Sequence, residues 1–281
     1  MRFSNLLPFA GLSLALSTGV HRQHQQRTST LPTIVIAPGA WQLVESWDTY
    51  LALLTEAGYD YVMVPNLSVG STTNPRQGLI EDTANMQNTL ASLADAGKNI
   101  VLFSHSYGGA VASSATEGYD VATRKAAGKT GGVLLTAFMA AFVLPTGSSL
   151  LDLLGGVPLE WMLVEGDITI CNATQMPEIA FNDLSATEAA YYTNLTTWSS
   201  TDAFTEPNTY APWDNGVPAA YIHTALDNAL PIAYQNAMVT YLASTNSSIY
   251  TLQSSHVPFI SIPDQTLTVW EEIVATAMTY A

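Results

Sequence analysis

The 281-residue sequence holds one cysteine, Cys171, so no disulfide can form within a single chain. It is also poor in positive charge. Lys and Arg total 8, none of them beyond Lys129, and charged residues make up 11% of the chain. A typical globular domain carries roughly 25%. This scarcity excludes a surface built to hold nucleic-acid phosphates or an anionic membrane, both of which select clustered Lys and Arg. No apolar run approaches the roughly 20 residues of a membrane-spanning helix. No H-E-x-x-H, H-x-x-x-H or paired-cysteine pattern occurs, so no metal site is expected.

What remains is an apolar, acidic chain. Hydrophobic residues reach 48%, aromatics 10%, and the formal net charge is −15. Disordered chains pair high charge with low hydrophobicity, so this composition argues for a folded domain. The length suits one large domain or two small ones. Fourteen of the acidic residues follow Lys129, so the second half of the chain is expected to disfavour anionic ligands.

The N-terminus has the layout of a secretory signal: Arg2, an apolar stretch from Leu6 to Leu16, then small residues at Ser17 and Gly19. We expect a signal peptide over residues 1–19, a polar lead-in over 20–30, and secretion of the mature chain without stable membrane insertion. Four N-x-[ST] sequons, at Asn66, Asn172, Asn194 and Asn246, are candidate glycosylation sites in a secreted glycoprotein.

Short apolar runs alternate with helix-like segments, the pattern of a parallel sheet flanked by helices. Strands are expected at 33–37 (TIVIA), 61–64, 99–103 (NIVLF), from 132, at 219–224 (AAYIHT) and at 248–252 (SIYTL). Helices are expected over 47–57, 79–96, 106–117, 231–242 and 265–280. Between about 144 and 217 this alternation stops, and the segment is rich in Trp, Tyr, Phe and Leu. An insertion of that length between sheet elements reads as a cap or lid. The expected layout is therefore a core of residues 31–143 and 218–281 with a cap over 144–217.

The stretch Asn99–Gly109, NIVLFSHSYGG, carries the most chemistry. A buried strand runs into Ser104-His105-Ser106-Tyr107-Gly108 and a small-residue helix. This is the setting of a nucleophile elbow, in which a strained turn lifts the serine hydroxyl above the sheet. Residues two before and two after must be small because strand and helix crowd there. Ser104 and Gly108 meet that need. Two further segments supply partners. Asp227 is the one carboxylate in the loop after AAYIHT, and reads either as the acid that orients a histidine or as a helix cap. His256 follows SIYTL and reads as the general base.

Through the strand–turn–helix at Ser104–Gly108, the sequence resembles the α/β-hydrolase superfamily over nearly all of the mature chain, and the resemblance implies the chain order Ser, acid, His, which Ser106, Asp227 and His256 follow. Within the superfamily, the sequence is similar to the plant methyl esterase and hydroxynitrile lyase group and to fungal secreted esterase-like relatives. The resemblance implies a mostly parallel sheet of about six strands, a cap inserted after the fourth, and a catalytic triad of Ser106, Asp227 and His256. It implies no cofactor. It also implies an oxyanion hole built from the backbone N–H of Tyr107 and of Ala40, in the segment Pro38-Gly39-Ala40-Trp41. Pro38 stands where the family's segment has His, which leaves the local hydrogen bonds of that loop unassigned.

The hydroxynitrile lyases of the group place Lys directly after the catalytic His, and Val257 stands here. The expected activity is therefore hydrolysis of a neutral, fairly apolar carboxylic ester, lactone or thioester, a small-molecule substrate. The alternatives are a lyase or acyltransferase on the same scaffold, or a silent binding protein. Trp41, His105, Trp161 and Trp198 are the expected substrate contacts. Met162, Phe181, Tyr191, Tyr192, Phe204, Tyr210 and Trp213 are further wall candidates, about a third of this cap set being expected to face substrate.

Overall fold

The β-branched run Thr33–Ala37 forms strand β1, and every one of its residues is buried. Burial on both faces is what a central parallel strand requires, and it explains a run without polar alternation. The computed structural model of the protein describes residues 31–70, 76–245 and 247–281. The expected signal and lead-in, and Asn246, lie outside the described residues.

The main sheet adds β2 (Tyr61–Met63), β3 (Asn99–His105), β4 (Gly132–Met139), β8 (Ala219–Thr224) and β9 (Ser248–Leu252). Its order is β2-β1-β3-β4-β8-β9, and every pairing is parallel. Helices α1 (Asp48–Glu56), α2 (Leu79–Asp95) and α3 (Gly108–Ala115) connect the first strands. Aromatic stacking ties the C-terminal helix, Pro263–Ala277, to the sheet. Trp270 lies over Phe103 with ring centroids 3.6 Å apart, and Trp47 stacks on Phe259 at 3.6 Å.

The order places the site. β1 connects outward to β2, and the chain then returns to lay β3 on the other side of β1. The loops leaving β1 and β3 therefore diverge, opening a crevice at the carboxyl ends of these two strands. The loop Pro38–Trp41 and the turn at Ser106 flank this crevice.

The segment between β4 and β8 carries a second, antiparallel sheet that sequence periodicity did not foresee: β5 (Met162–Glu165), β6 (Ile168–Cys171) and β7 (Ser199–Ser200). These strands have two to four residues, too short to show a period of two. The cap sheet is bridged to the core between Val69 and Ser199. No described helix is long and apolar enough to cross a membrane.

One sequon needs correction. Asn66 is 6% exposed, and its Nδ2 donates to the carbonyls of Pro38 at 3.0 Å and Gly39 at 3.3 Å. A glycan on that nitrogen is incompatible with the fold. Asn194 is exposed and Asn172 half-buried.

Candidate active site

β3 ends at His105, and Ser106 then takes a φ of 53°. A non-glycine residue in the left-handed region is strained, and such strain is held in place only by its surroundings. Here the surroundings are backbone. The Ser106 N–H donates to the Met139 carbonyl at 3.4 Å, and the Ser106 carbonyl accepts from Gly109 and Phe142, both at 3.0 Å. Glycine is obligatory on the helix side of the turn. A Cβ on Gly108 would stand 2.2 Å from the Ala37 carbonyl oxygen, and one on Gly109 2.2 Å from that of Phe142. On the strand side, Ser104 is buried and donates its hydroxyl to the Ala137 carbonyl at 2.9 Å.

Asp227 does not cap the helix that follows: the N-cap of Ile232–Val239 is Pro231, without a side-chain bond. Asp227 Oδ1 accepts the N–H groups of Ala229 (2.9 Å) and Leu230 (2.8 Å), which shapes the turn after β8. Its Oδ2 accepts from Thr224 Oγ1 and from His256 Nδ1, each at 2.8 Å, and from Gln235 Nε2 at 3.3 Å. The carboxylate is thus fully satisfied and locked. Because a carboxylate only accepts, Nδ1 of His256 must carry a proton, so Nε2 is the nitrogen on which the neutral ring can accept one. Ser106 and His256 line one cavity. The arrangement can therefore do general-base chemistry on a serine hydroxyl.

Both expected oxyanion donors border the cavity. Ala40 and Tyr107 line it, and neither backbone N–H has a hydrogen-bond partner among the described residues. The N–H of Trp41, by contrast, is taken by Ser199 Oγ at 2.8 Å. Trp41 has φ 61°, donates its indole N–H to the Thr169 carbonyl at 2.9 Å, and stacks on Phe204 with centroids 4.8 Å apart. The strained tryptophan therefore joins the loop after β1 to the cap sheet.

The cavity encloses about 630 Å³ of non-atom space, its mouth included, and its walls are mostly apolar. Of the expected contacts, Trp41, His105 and Trp161 line it, and so do Met162, Phe181 and Phe204. Trp198 does not. Arg76 lies over its ring, 4.3 Å from the centroid, and Arg76 also pairs with Asp167 at 2.8 Å. Tyr191, Tyr192, Tyr210 and Trp213 also lie off the cavity. Trp213 is buried against Phe138. Among the described residues, no Lys, Arg, Asp or Glu lines the cavity.

His105 is fully buried beneath the site. Its Nε2 donates to the His256 carbonyl at 2.8 Å, which anchors the backbone of the expected base. Burial holds its pKa well below the usual histidine range, with the nearby His256 adding to the effect. Cys171 also lines the cavity, and burial pushes its thiol pKa up, which makes it inert as a thiolate.

Several contributors had no sequence signal. Tyr107 Oη donates to Asp82 Oδ2 at 2.7 Å, and Ser68 Oγ donates to the same oxygen at 2.6 Å. Burial raises the Asp82 pKa above the ordinary carboxylate value, against the hydrogen bonds from Ser68 and Tyr107. This buried group fixes the ring of the residue that follows Ser106. Leu150, Leu154, Leu159 and Met176 complete the apolar wall. A spacing rule cannot find such residues, because the cap's irregular path decides which ones meet.

Comparison with known proteins shows the family of the fold. A family model described as alpha/beta hydrolase family matches residues 34–269. The chain belongs to the alpha/beta hydrolase family. It is 26% identical over 236 residues to the alpha/beta hydrolase nvfD of Aspergillus novofumigatus, covering 83% of this chain and 92% of that one. Among solved structures, polyneuridine aldehyde esterase superposes with a TM-score of 0.67 at 19% identity, covering 86% of this hydrolase-family chain and 99% of its own. Tomato methylketone synthase I superposes with a TM-score of 0.69 at 16% identity, with 88% and 99% covered. At these identities the likeness is one of fold.

Proposed function

We propose that this protein is a serine hydrolase that cleaves a neutral, fairly apolar carboxylic ester, lactone or thioester through an acyl-enzyme on Ser106. The observation that carries the reading is the bond from His256 Nδ1 to Asp227 Oδ2, 2.8 Å long, with His256 and the strained Ser106 on one cavity. In this mechanism His256 Nε2 takes the proton of Ser106 as its oxygen attacks the acyl carbon. The developing oxyanion is held by the N–H groups of Tyr107 and Ala40. His256 then returns the proton to the leaving alcohol, and water repeats the sequence on the acyl-enzyme.

The substrate class follows from the walls. With no Lys, Arg, Asp or Glu among the described residues that line the cavity, a carboxylate-bearing substrate would lose its hydration without a partner. Secretion, with glycans at Asn172, Asn194 or Asn246, forms part of the same reading.

A fluorophosphonate probe tests it. Wild type is expected to label, and Ser106→Ala to lose all labelling while keeping its circular dichroism spectrum. Absence of labelling in folded wild type would refute the assignment. A panel of p-nitrophenyl esters, aryl methyl esters and lactones then defines the substrate.

A further inference from the structure

The loop after β1 lacks the histidine that the family's segment places where Pro38 stands, yet its peptides must still be aimed. The structure shows what holds them. Asn66, at the end of the segment after β2, is buried and turns its side-chain amide onto this loop. The Nδ2 group donates to the Pro38 carbonyl at 3.0 Å and to the Gly39 carbonyl at 3.3 Å. Both partners are carbonyl oxygens, which only accept. The nitrogen of the amide, and not its oxygen, must therefore face them.

The Gly39 carbonyl belongs to the same peptide unit as the Ala40 N–H. That unit is planar and trans, so its C=O and N–H point in opposite directions. A bond that holds the Gly39 oxygen toward Asn66 turns the Ala40 N–H away from it. Ala40 lines the cavity, and its N–H has no partner among the described residues. The loop is also close to Ser106. A Cβ placed on Gly39 would come within 3.1 Å of Ser106 Cβ. A small rotation of this peptide would therefore move the donor relative to the reacting oxygen.

We propose that Asn66 is a positioning residue that aims the Ala40 N–H into the oxyanion hole by holding the Gly39 carbonyl. The inference rests on the serine-hydrolase reading above. It also gives a reason for a buried sequon asparagine: the amide is engaged by the backbone and is not on the surface. Two residues on, Ser68 reaches the other donor through Asp82 and the Tyr107 hydroxyl. One short segment thus touches the supports of both donors.

The test compares Asn66→Ala with wild type on p-nitrophenyl butyrate and on n-butylboronic acid, which forms a tetrahedral adduct with a reactive serine. A misaimed donor acts on the tetrahedral state and not on the bound ester. The expected result is a kcat lower by about 10- to 100-fold, a KM within about threefold, and boronate affinity reduced by the same factor as kcat. The pH profile of kcat should keep its shape, because His256 and Asp227 are untouched. A folded variant with kcat within threefold of wild type, or with boronate affinity unchanged while kcat falls, would overturn the proposal. If Asn66→Ala does not fold, Asn66→Ser carries the same comparison, and failure of both to fold would assign Asn66 a purely structural role. Wild type that neither hydrolyses the ester nor reacts with a fluorophosphonate would overturn the underlying reading instead, before any substitution is made.

Discussion

Asp227→Asn is the sharpest perturbation of the site, because the surroundings dictate which way the new amide must lie. Oδ1 faces two backbone donors, the N–H groups of Ala229 and Leu230, at 2.9 and 2.8 Å. An amide nitrogen placed there would oppose two N–H groups. The asparagine oxygen must therefore occupy that position, and its NH2 must take the place of Oδ2, 2.8 Å from His256 Nδ1. An NH2 donor makes Nδ1 an acceptor and moves the imidazole proton to Nε2. The tautomer that results cannot accept a proton from Ser106. With geometry intact but the wrong tautomer, the loss of kcat is about 10⁴-fold, or about 5.4 kcal/mol at 1.36 kcal/mol per tenfold.

Stability should change far less. Gln235 Nε2 keeps its bond to the Leu230 carbonyl at 2.7 Å, and the Thr224 hydroxyl can turn to accept from the new NH2. A cost of about 1–3 kcal/mol is expected, or a Tm lower by roughly 2–4 °C per kcal/mol. The assay is kcat on a p-nitrophenyl ester beside thermal unfolding. A folded Asp227→Asn protein within tenfold of wild-type kcat would refute the reasoning.

Three other predictions follow from single contacts. Gly108→Ala brings a Cβ to 2.2 Å from the Ala37 carbonyl, so the protein should lose its soluble, folded form, as read by yield and thermal unfolding. His105 has a folded pKa well below its ordinary 6.5, so the unfolded chain binds a proton that the native state refuses. Stability is then complete above pH 6.5 and falls below it, by up to about 1.4 kcal/mol per pH unit. His105→Gln should flatten that decline in urea unfolding at pH 5 and 7.5. His223, lowered by burial in the same sense, leaves a residual slope. Trp161→Ala removes part of the cavity wall and should shift the p-nitrophenyl ester preference toward longer acyl chains, whereas Trp198→Ala, off the cavity, should leave kcat/KM within about threefold.

The strands at 33–37, 219–224 and 248–252 and the turn at Ser106 were legible because their signals are local. The β-branched run TIVIA reads as a buried strand without knowledge of its neighbours, and SIYTL, only its Leu252 buried, reads as a strand from its alternation. Small residues on either side of Ser106 reflect crowding within one strand–turn–helix unit. The helix expected from Trp47 begins at Asp48, because a 3-10 turn over Val44–Trp47 precedes it. The cap was legible as an interruption and not as a sheet, because its strands are too short to repeat.

The sequence by itself determined the fold class, the order Ser106, Asp227, His256, and the absence of basic side chains from the second half. Those properties depend on residue type and on chemistry carried by a few adjacent positions. Only the tertiary structure decided that Trp198 packs under Arg76 while Trp161 faces the cavity, that Asn66 turns inward onto the loop after β1, and that Asp82 holds the Tyr107 hydroxyl. Each of these contacts joins side chains from separate elements. Their partners are chosen by where the sheet order and the path of the cap bring the chain together, and no local spacing encodes that.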